Sequence, residues 1–211
     1  MHAAASATGA AAVVKGPPLG MWLFEQFAFP SIQAALGAAA QLSAWSEVVK
    51  ASALDGATRS GNLAGTFFAP TNEAVAALLD AESIQMSALT RNSSLATQLV
   101  EAHLIPGQAL RAVDLQPGAR YPTALPGAYL TVTKGADGLA VIPFPTSANP
   151  ATVLVPDIRA GKAVMHVIRS VLVPRFLVPS LTPGIGQPFG ASSVTSALLS
   201  TLASPEALPL G

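Results

Sequence analysis

Apolar residues recur along the middle of this chain at two spacings, first that of helices and later that of strands. Helices are predicted over residues 31–36 and 42–54, because apolar residues there return every three or four positions. Trp45 lies on the apolar face of the second helix and is predicted to anchor the core. A loop is predicted over residues 55–62, which are rich in glycine, serine and asparagine.

A strand turns into a helix within one proline-threonine step near residue 70. Residues 66–69 are apolar, aromatic or β-branched, as in a strand buried on both faces. Pro70 is predicted to end the strand, because proline cannot donate to a sheet ladder. Thr71 is predicted to cap the following helix, and Glu73 suits the positive end of the helix dipole. Alone, this pattern fits an ordinary junction as well as a family signature.

A later helix is predicted to begin at Ser94 and to stop at Pro106. His103 follows Leu95 and Leu99 at intervals of four residues, which places it on the buried stripe of this helix. A histidine on an apolar stripe is more often a core residue than a binding residue.

The rest of the middle of the chain has the composition of strands. A glycine-rich turn at residues 135–138 predicts a hairpin. The last strand is almost continuously apolar, which indicates burial on both faces. Within that strand His166 alternates with apolar residues on one face, which favours a core role. The predicted strands are 121–125, 128–133, 139–144, 152–155 and 163–173.

The two ends of the chain differ in composition from its middle. Residues 1–30 are rich in alanine and interrupted by prolines, and they are predicted to be a leader or an N-terminal extension. Residues 175–211 are rich in proline, glycine and serine, which is typical of a tail or linker. No stretch is long and unbroken enough to predict a transmembrane helix.

The charge and cysteine content narrow the possible functions. The chain carries 11 basic and 11 acidic side chains and has no net charge, so it lacks the basic patch that nucleic-acid binding requires. It has no cysteine, which excludes disulfides and thiolate metal sites. We therefore predict no nucleic-acid partner, no metal and no cofactor.

Recognisable catalytic motifs are absent from the sequence. There is no nucleophile elbow, no phosphate-binding loop and no zinc-protease motif. The one combination that offers general-base chemistry is His103 and His166 brought together with Asp157. A function other than catalysis is therefore predicted.

Four short motifs resemble the boxes of the fasciclin domain family, and they occur in the family's order. Each is weak alone, but the ordered set is specific and spans residues 31–174, which we predict to be one domain. The signature residues are Thr66, Phe68, Pro70, Thr71, Asn72, His166 and Pro174. The motifs are TFFAPTNEA at 66–74, EAHLIPG at 101–107, VPDIR at 155–159 and AVMHVIRSVLVP at 163–174.

This resemblance implies an α+β fold, a β-wedge or sandwich with helices packed along its edges. It implies a non-catalytic module that mediates cell adhesion or binds the extracellular matrix or cell wall. The expected partner is a matrix protein or a polysaccharide, or else a cell-surface receptor. The expected location is extracellular or at the cell surface or cell wall, with the periplasm or a plastid as alternatives.

Carried over to this sequence, the family's adhesive positions fall on His103, Asp157 and Ile158. Ala102 replaces the tyrosine that precedes the histidine in the family, and Val155 stands where an integrin-directed motif has an acidic residue. Integrin binding specifically is therefore not expected. The alternative for Asp157 is a structural one, in which its carboxylate caps a turn by accepting from local amides.

Two further features of the sequence bear on function. Asn92 begins an N-glycosylation sequon, Asn92-Ser93-Ser94, in a predicted surface loop. The high apolar content permits a second function, the binding of a small lipid-like ligand in an apolar crevice.

Overall fold

The computed structural model describes residues 28–135, 138–144 and 150–177. The predictions of a leader and of a tail or linker fall largely on residues 1–27 and 178–211 and lie outside the described residues. Within the described part the chain forms helices and strands as the α+β class requires. The helices are α1 (Ile32–Gly37), α2 (Ser43–Ala51), α3 (Asp55–Arg59), α4 (Asn72–Ala81), α5 (Met86–Arg91) and α6 (Ser93–Ala102), with 3-10 turns at Ala40–Leu42 and Arg175–Leu177.

Eight strands in the described residues form one mixed sheet. Seven of them follow the order β3-β2-β8-β7-β6-β5-β4, and β1 pairs with β7. β2 is parallel to β8 and antiparallel to β3. The strands are β1 (Ala28–Phe29), β2 (Gly65–Pro70), β3 (Leu104–Pro106), β4 (Arg120–Pro122), β5 (Tyr129–Gly135), β6 (Gly138–Phe144), β7 (Ala151–Ala160) and β8 (Ala163–Ile168).

The sheet curls so that its two end strands approach each other. The amide of Ala124, just after β4, donates to the carbonyl of Leu104 in β3 at 2.8 Å. β7 belongs to two parts of the sheet. Its first residues pair with β6, and its later residues pair with β8 and β1. A strand that changes partners in this way needs bulges, and β7 has two register shifts.

The two faces of the curled sheet bury two separate cores. Successive side chains of a strand point to opposite faces, so the neighbours Phe67 and Phe68 enter different clusters. Phe67 packs with Trp45 and the helices on the outer face. Phe68 packs on the inner face with Ile105, Leu115, Leu130, Val132, Val141, Ala151, Ile168 and Leu172.

Two predicted boundaries among the helices were wrong. Residues 55–59 form the short helix α3 and not a loop, and an ion pair between Arg59 and Asp55 at 2.9 Å spans its one turn. The helix predicted to reach Pro106 ends at Ala102, because residues 104–106 pair with the edge of β2. The pattern could not show this, since a short apolar run suits a strand and a helix equally.

The last two strands also differ from the prediction. β7 continues through residues 156–160, beyond the predicted end of the strand at residue 155. β8 ends at Ile168, although residues 171–173 beyond it are buried as predicted. The apolar residues there correctly indicated burial. They do not extend the strand, because the amide of Leu172 donates to the His103 side chain and not to a neighbouring strand.

Three backbone segments meet where β7 turns into β8. The amide of Gly161 donates to the carbonyl of Phe29 at 2.8 Å, and the amide of Lys162 donates to that of Gly61 at 3.0 Å. Gly161 has a φ of +64°, and a Cβ there would lie 2.4 Å from the carbonyl oxygen of Gly61. Only glycine fits this crossing, which ties the segment before α1 into the domain.

Candidate functional site

Thr71 fixes the corner between β2 and α4 through two hydrogen bonds. Its hydroxyl accepts from the amide of Ala74 at 3.3 Å, which caps the helix as predicted. Its own amide donates to the carbonyl of Ile168 in β8 at 3.2 Å. The helix therefore starts at a fixed point of the sheet.

Pro70 is accommodated at the end of β2 because an N–H group at this position would have no hydrogen-bond partner. Alternate amides along a strand face opposite edges, and that of Phe68 faces β3, where it donates to the carbonyl of His103 at 2.9 Å. The pairing of β2 with β3 covers only residues 65–67. At Pro70 that edge has no paired strand, so the lack of a donor costs no ladder bond.

Asn72 joins the corner to the start of α2. Its Oδ1 accepts from the amide of Ala44 at 2.9 Å, and its Nδ2 donates to the carbonyl of Ala40 at 2.9 Å. Leu42, the residue before α2, has no side chain that can cap the helix. Asn72 therefore supplies that cap from a distant part of the sequence.

His103 is fully buried, and both of its ring nitrogens bond to the backbone. Nδ1 lies 2.7 Å from the carbonyl of Leu99, and Nε2 accepts from the amide of Leu172 at 2.8 Å. Since a carbonyl only accepts and an amide only donates, the proton sits on Nδ1 and the ring is neutral. Burial lowers the pKa of His103 to about 4, although the Leu99 carbonyl opposes this in part.

Asp157 sits in a bulge near the middle of β7. Pro156 and Asp157 together stand opposite the single residue His166 of β8. Asp157 has a φ of +64°, a left-handed conformation that aspartate tolerates better than most residues. Its amide has left the ladder and donates to Nδ1 of His166 at 3.2 Å.

His166 is the second buried histidine, and it carries its proton on the other nitrogen. Nδ1 accepts from the Asp157 amide, so Nε2 holds the proton and donates to the carbonyl of Leu110 at 3.0 Å. Burial lowers the pKa of His166, opposed by the Leu110 carbonyl and by the Asp157 carboxylate. The ring is therefore neutral, and the Asp157 oxygen 3.9 Å from Nδ1 forms no ion pair with it.

Thr66 in β2 bonds the segment that follows β3. Its hydroxyl donates to the carbonyl of Gln108 at 2.6 Å and accepts from the amide of Leu110 at 2.9 Å. One side chain thus satisfies two backbone groups that have left the sheet. This explains the hydroxyl at a position that is otherwise completely buried.

Together, Thr66, His166 and Asp157 hold one loop against three neighbouring strands. Thr66 and His166 bond Gln108 and Leu110, and Oδ1 of Asp157 accepts from the amide of the next alternate residue, Ala112, at 2.7 Å. We call residues 108–117 the clasped loop. Its apolar side chains Leu110 and Leu115 pack on the inner core, so the loop is part of the fold and its remaining residues form a surface.

Replacing Thr66 by valine is expected to loosen the clasped loop. The change keeps the shape of the side chain but leaves a carbonyl and an amide without a partner, at a cost of about 1–3 kcal/mol in the free energy of unfolding. Amide hydrogen exchange at Leu110 should become faster. Thr66→Ser, which keeps the hydroxyl, should retain the slow exchange. Equal exchange and stability in the valine variant and the wild type would contradict this role.

The structure places the three predicted adhesive residues in different environments. Ile158 and His103 are fully buried, so on this structure neither side chain can touch a partner, and the prediction of contact carries over only to Asp157. The side chain of Asp157 is 39% exposed. Its bond partner is the Ala112 amide, 45 positions away in the sequence, and not the local amides that the alternative prediction named.

Two further predicted residues have structural contacts of their own. Pro174 is buried, and its carbonyl accepts from the amide of Leu177 at 2.9 Å. Asn92 is exposed and caps α6, since its Oδ1 accepts from the amide of Leu95 at 3.0 Å. The sequon thus lies at a helix start, and glycosylation of Asn92 stays a prediction.

The general-base site considered from the sequence is only partly assembled. Asp157 and His166 are in contact, but His103 bonds Leu99 and Leu172 and packs on Trp45, with ring centroids 4.5 Å apart. Both rings are buried and have both nitrogens engaged by the backbone. Neither is arranged to accept a proton from a substrate.

A small cleft lies between the clasped loop and the β5–β6 hairpin. Its volume is about 340 Å³. Among the described residues that line it, most are apolar and Lys134 is the charged one. The lining residues are Ala112, Val113, Leu115, Gln116, Pro117, Lys134 and Leu139.

Comparison with known proteins agrees with this architecture. The family model described as the fasciclin domain matches residues 40–174, and the chain belongs to the fasciclin domain family. The predicted family and the predicted α+β fold class are therefore confirmed. The described helices include none that is long and apolar enough to cross a membrane.

Two similar proteins illustrate the relationship. Protein sll1483 of Synechocystis sp. is 35% identical over 109 residues, which cover 52% of this chain and 54% of that protein. The chain thus spans about half the length of this relative. A solved FAS1 domain pair from the insect cell adhesion molecule fasciclin I has a TM-score of 0.59 at 17% identity, over 69% of this chain and 51% of that one. At this identity the match shows a shared fold.

Sequence reasoning missed the clasped loop entirely. Its residues show neither helical nor strand periodicity, and they contact the sheet through backbone groups that carry no sequence signal. The available hint was the presence of two leucines, Leu110 and Leu115, in a short segment of mixed polar and apolar residues without a regular period. The signature boxes supply the side chains of the clasp, but the sequence gives no indication of what they hold.

Proposed function

We propose that this chain is a non-catalytic extracellular module that mediates adhesion by binding a matrix protein, a cell-wall polysaccharide or a cell-surface receptor. Fasciclin domains are commonly adhesion modules, and the structurally similar domain pair comes from a cell adhesion molecule. The engaged, neutral state of both buried histidines supports a function without catalysis.

The observation that carries this proposal is the environment of Asp157. It is the one predicted adhesive residue that reaches solvent, and it lies beside the clasped loop, which is firmly attached to the sheet. A fixed loop loses little conformational entropy when a partner binds, so its surface suits recognition. The proposed contact surface is therefore the clasped loop where it lies beside Asp157.

The test is binding of the full chain to a panel of immobilised matrix proteins and cell-wall polysaccharides, measured by biolayer interferometry. Wild type is compared with Asp157→Ala and with Lys162→Gln, a charge removal outside the proposed surface. Circular dichroism checks the fold of each variant. We expect one panel member to bind wild type and Lys162→Gln and to bind Asp157→Ala more weakly. Binding by none of the panel would contradict adhesion.

The cleft supports a second function, the binding of a small apolar ligand with an anionic group. Its apolar walls and the ammonium of Lys134 match such a molecule, and its 340 Å³ lies at the small end of ligand sites. Titration with octanoate by calorimetry tests this. Saturable binding that Lys134→Gln weakens would favour it over adhesion, and no heat of binding would contradict it.

A further inference from the structure

The carboxylate of Asp157 is already used inside the molecule. Its Oδ1 accepts from the Ala112 amide at 2.7 Å, a short bond between a charged acceptor and a backbone donor. A partner that bound this carboxylate directly would have to compete with that bond. The position of Asp157 therefore suits a residue that shapes the surface more than one that contacts the partner.

Val113, next to Ala112, is 76% exposed at the tip of the clasped loop. The other exposed large apolar side chains in the described part, Tyr129, Phe144 and Phe176, are between 40% and 44% exposed. Valine at such a position has no role in the core. A single exposed valine is ordinary on a protein surface, but Val113 also lines the apolar cleft, and the two together form a continuous apolar surface.

The backbone around Val113 is held on both sides. Before it, Ala112 is bonded to Asp157, and after it Leu115 is buried in the inner core. A tight turn closes the loop, since the amide of Asp114 donates to the carbonyl of Arg111 at 2.9 Å. Val113 is therefore presented in a fixed position, which lowers the entropic cost of binding.

The chemistry of the cleft indicates what it would accept. The walls next to Val113 are apolar, and Lys134 stands at the cleft as a positive charge. The cleft lies at the small end of the size range of ligand sites, so it suits a short group such as a single large side chain better than an extended lipid. A large apolar side chain flanked by a carboxylate would match both the walls and the charge.

We infer that the partner is a protein whose exposed segment places a large apolar side chain, flanked by an acidic residue, against Val113 and Lys134. Asp157 is a positioning residue that acts through the Ala112 amide. This inference rests on the proposed adhesive function and names the contact and the partner class for the same surface.

The probe is a phage-displayed library of random twelve-residue peptides, selected on the immobilised full chain. The enriched peptides should share a large apolar residue next to aspartate or glutamate. Their affinity should fall about tenfold on Val113→Ser and on Lys134→Gln, and should be unchanged on Phe176→Ser, a matched loss of an exposed apolar side chain elsewhere. Peptides that bind Val113→Ser as well as wild type, or no enrichment, would overturn the inference.

Two variants at Asp157 separate positioning from direct contact. Asn keeps an oxygen acceptor for the Ala112 amide and tolerates a positive φ, so Asp157→Asn should bind the peptides within about twofold of wild type. Asp157→Ala removes the acceptor and should lose about tenfold. Equal losses of affinity in both variants would show that the peptides bind the charge of Asp157 directly and would overturn the positioning role. If Asp157→Ala does not fold, the affinities of Asp157→Asn and Val113→Ser still test the inference.

The outcomes also distinguish this inference from the proposed function. If a panel partner binds wild type and Val113→Ser equally, adhesion stands and the contact surface assigned here is wrong. If octanoate fills the cleft and no peptide is enriched, the cleft is a small-ligand site and the inference fails. If no panel member binds while the peptides bind through Val113, the contact surface stands and the adhesion proposal fails.

Discussion

Replacing Gly161 by alanine is expected to lower the free energy of unfolding by roughly 2–6 kcal/mol. The new methyl group would lie 2.4 Å from the carbonyl oxygen of Gly61 and 2.9 Å from that of Pro30, and both are backbone atoms that cannot rotate away. The φ of +64° adds the strain of a left-handed conformation. Overpacking and strain each contribute about 1–3 kcal/mol, so their sum approaches the stability of a typical domain.

The matched control is Gly118→Ala. Gly118 has a φ of +80°, but nothing lies within 4 Å of its Cβ position, so alanine there tests the conformational strain alone. We expect a loss of about 1–2 kcal/mol in the control. Urea unfolding followed by circular dichroism measures both variants. A loss at Gly161 no larger than that at Gly118 would contradict the close crossing of the three backbone segments.

Stability is expected to fall as the pH drops below about 6.5. The pKa of His103 is lowered from 6.5 to about 4 by burial, so in this range the unfolded chain binds a proton that the folded chain excludes. At pH 5 this loss amounts to about 2 kcal/mol relative to pH 7.5. The lowered pKa of His166 acts in the same direction.

The measurement is urea unfolding of wild type and His103→Gln at pH 7.5 and pH 5. Glutamine does not titrate, so the variant should be less stable than wild type at pH 7.5 but should lose about 2 kcal/mol less on acidification. If wild type and His103→Gln lost the same free energy of unfolding between pH 7.5 and pH 5, protonation of His103 would not destabilise the folded state. That result would contradict the neutral, buried ring.

The sequence predicted those parts of the fold that depend on local pattern. The corner at Pro70 and Thr71 was predicted because the strand, the cap and the helix stripe are all visible within a few residues. The ordered boxes identified the family. The buried stripe correctly placed His103 in the core, since burial at helical spacing depends on the same periodicity.

The candidate site was less predictable because its bonds join distant positions. Asp157 bonds Ala112, and His166 bonds Leu110, over separations of 45 and 56 residues. In both cases the partner is a backbone group, which any residue would supply equally well. A single sequence therefore shows that these side chains are unusual but not which segment they hold.

The chemistry of the signature boxes is explained by these backbone contacts. Thr71 and Asn72 cap helices. His103 accepts a hydrogen bond from the amide of Leu172, which follows β8. The clasped loop is held by Thr66, His166 and Asp157. Buried polar side chains that satisfy displaced backbone groups are costly to replace. The proposed function assigns partner recognition to the residues that the clasped loop exposes.

The central claim is that both buried histidines serve the fold as neutral hydrogen-bonding groups. Two-dimensional proton–nitrogen NMR of the imidazole rings in the full chain, recorded from pH 7.5 to pH 5, tests it directly. The structure predicts opposite tautomers, with the proton on Nδ1 in His103 and on Nε2 in His166, and no titration of His103 in this range. A shared tautomer, or titration of His103 near pH 6.5, would contradict the account.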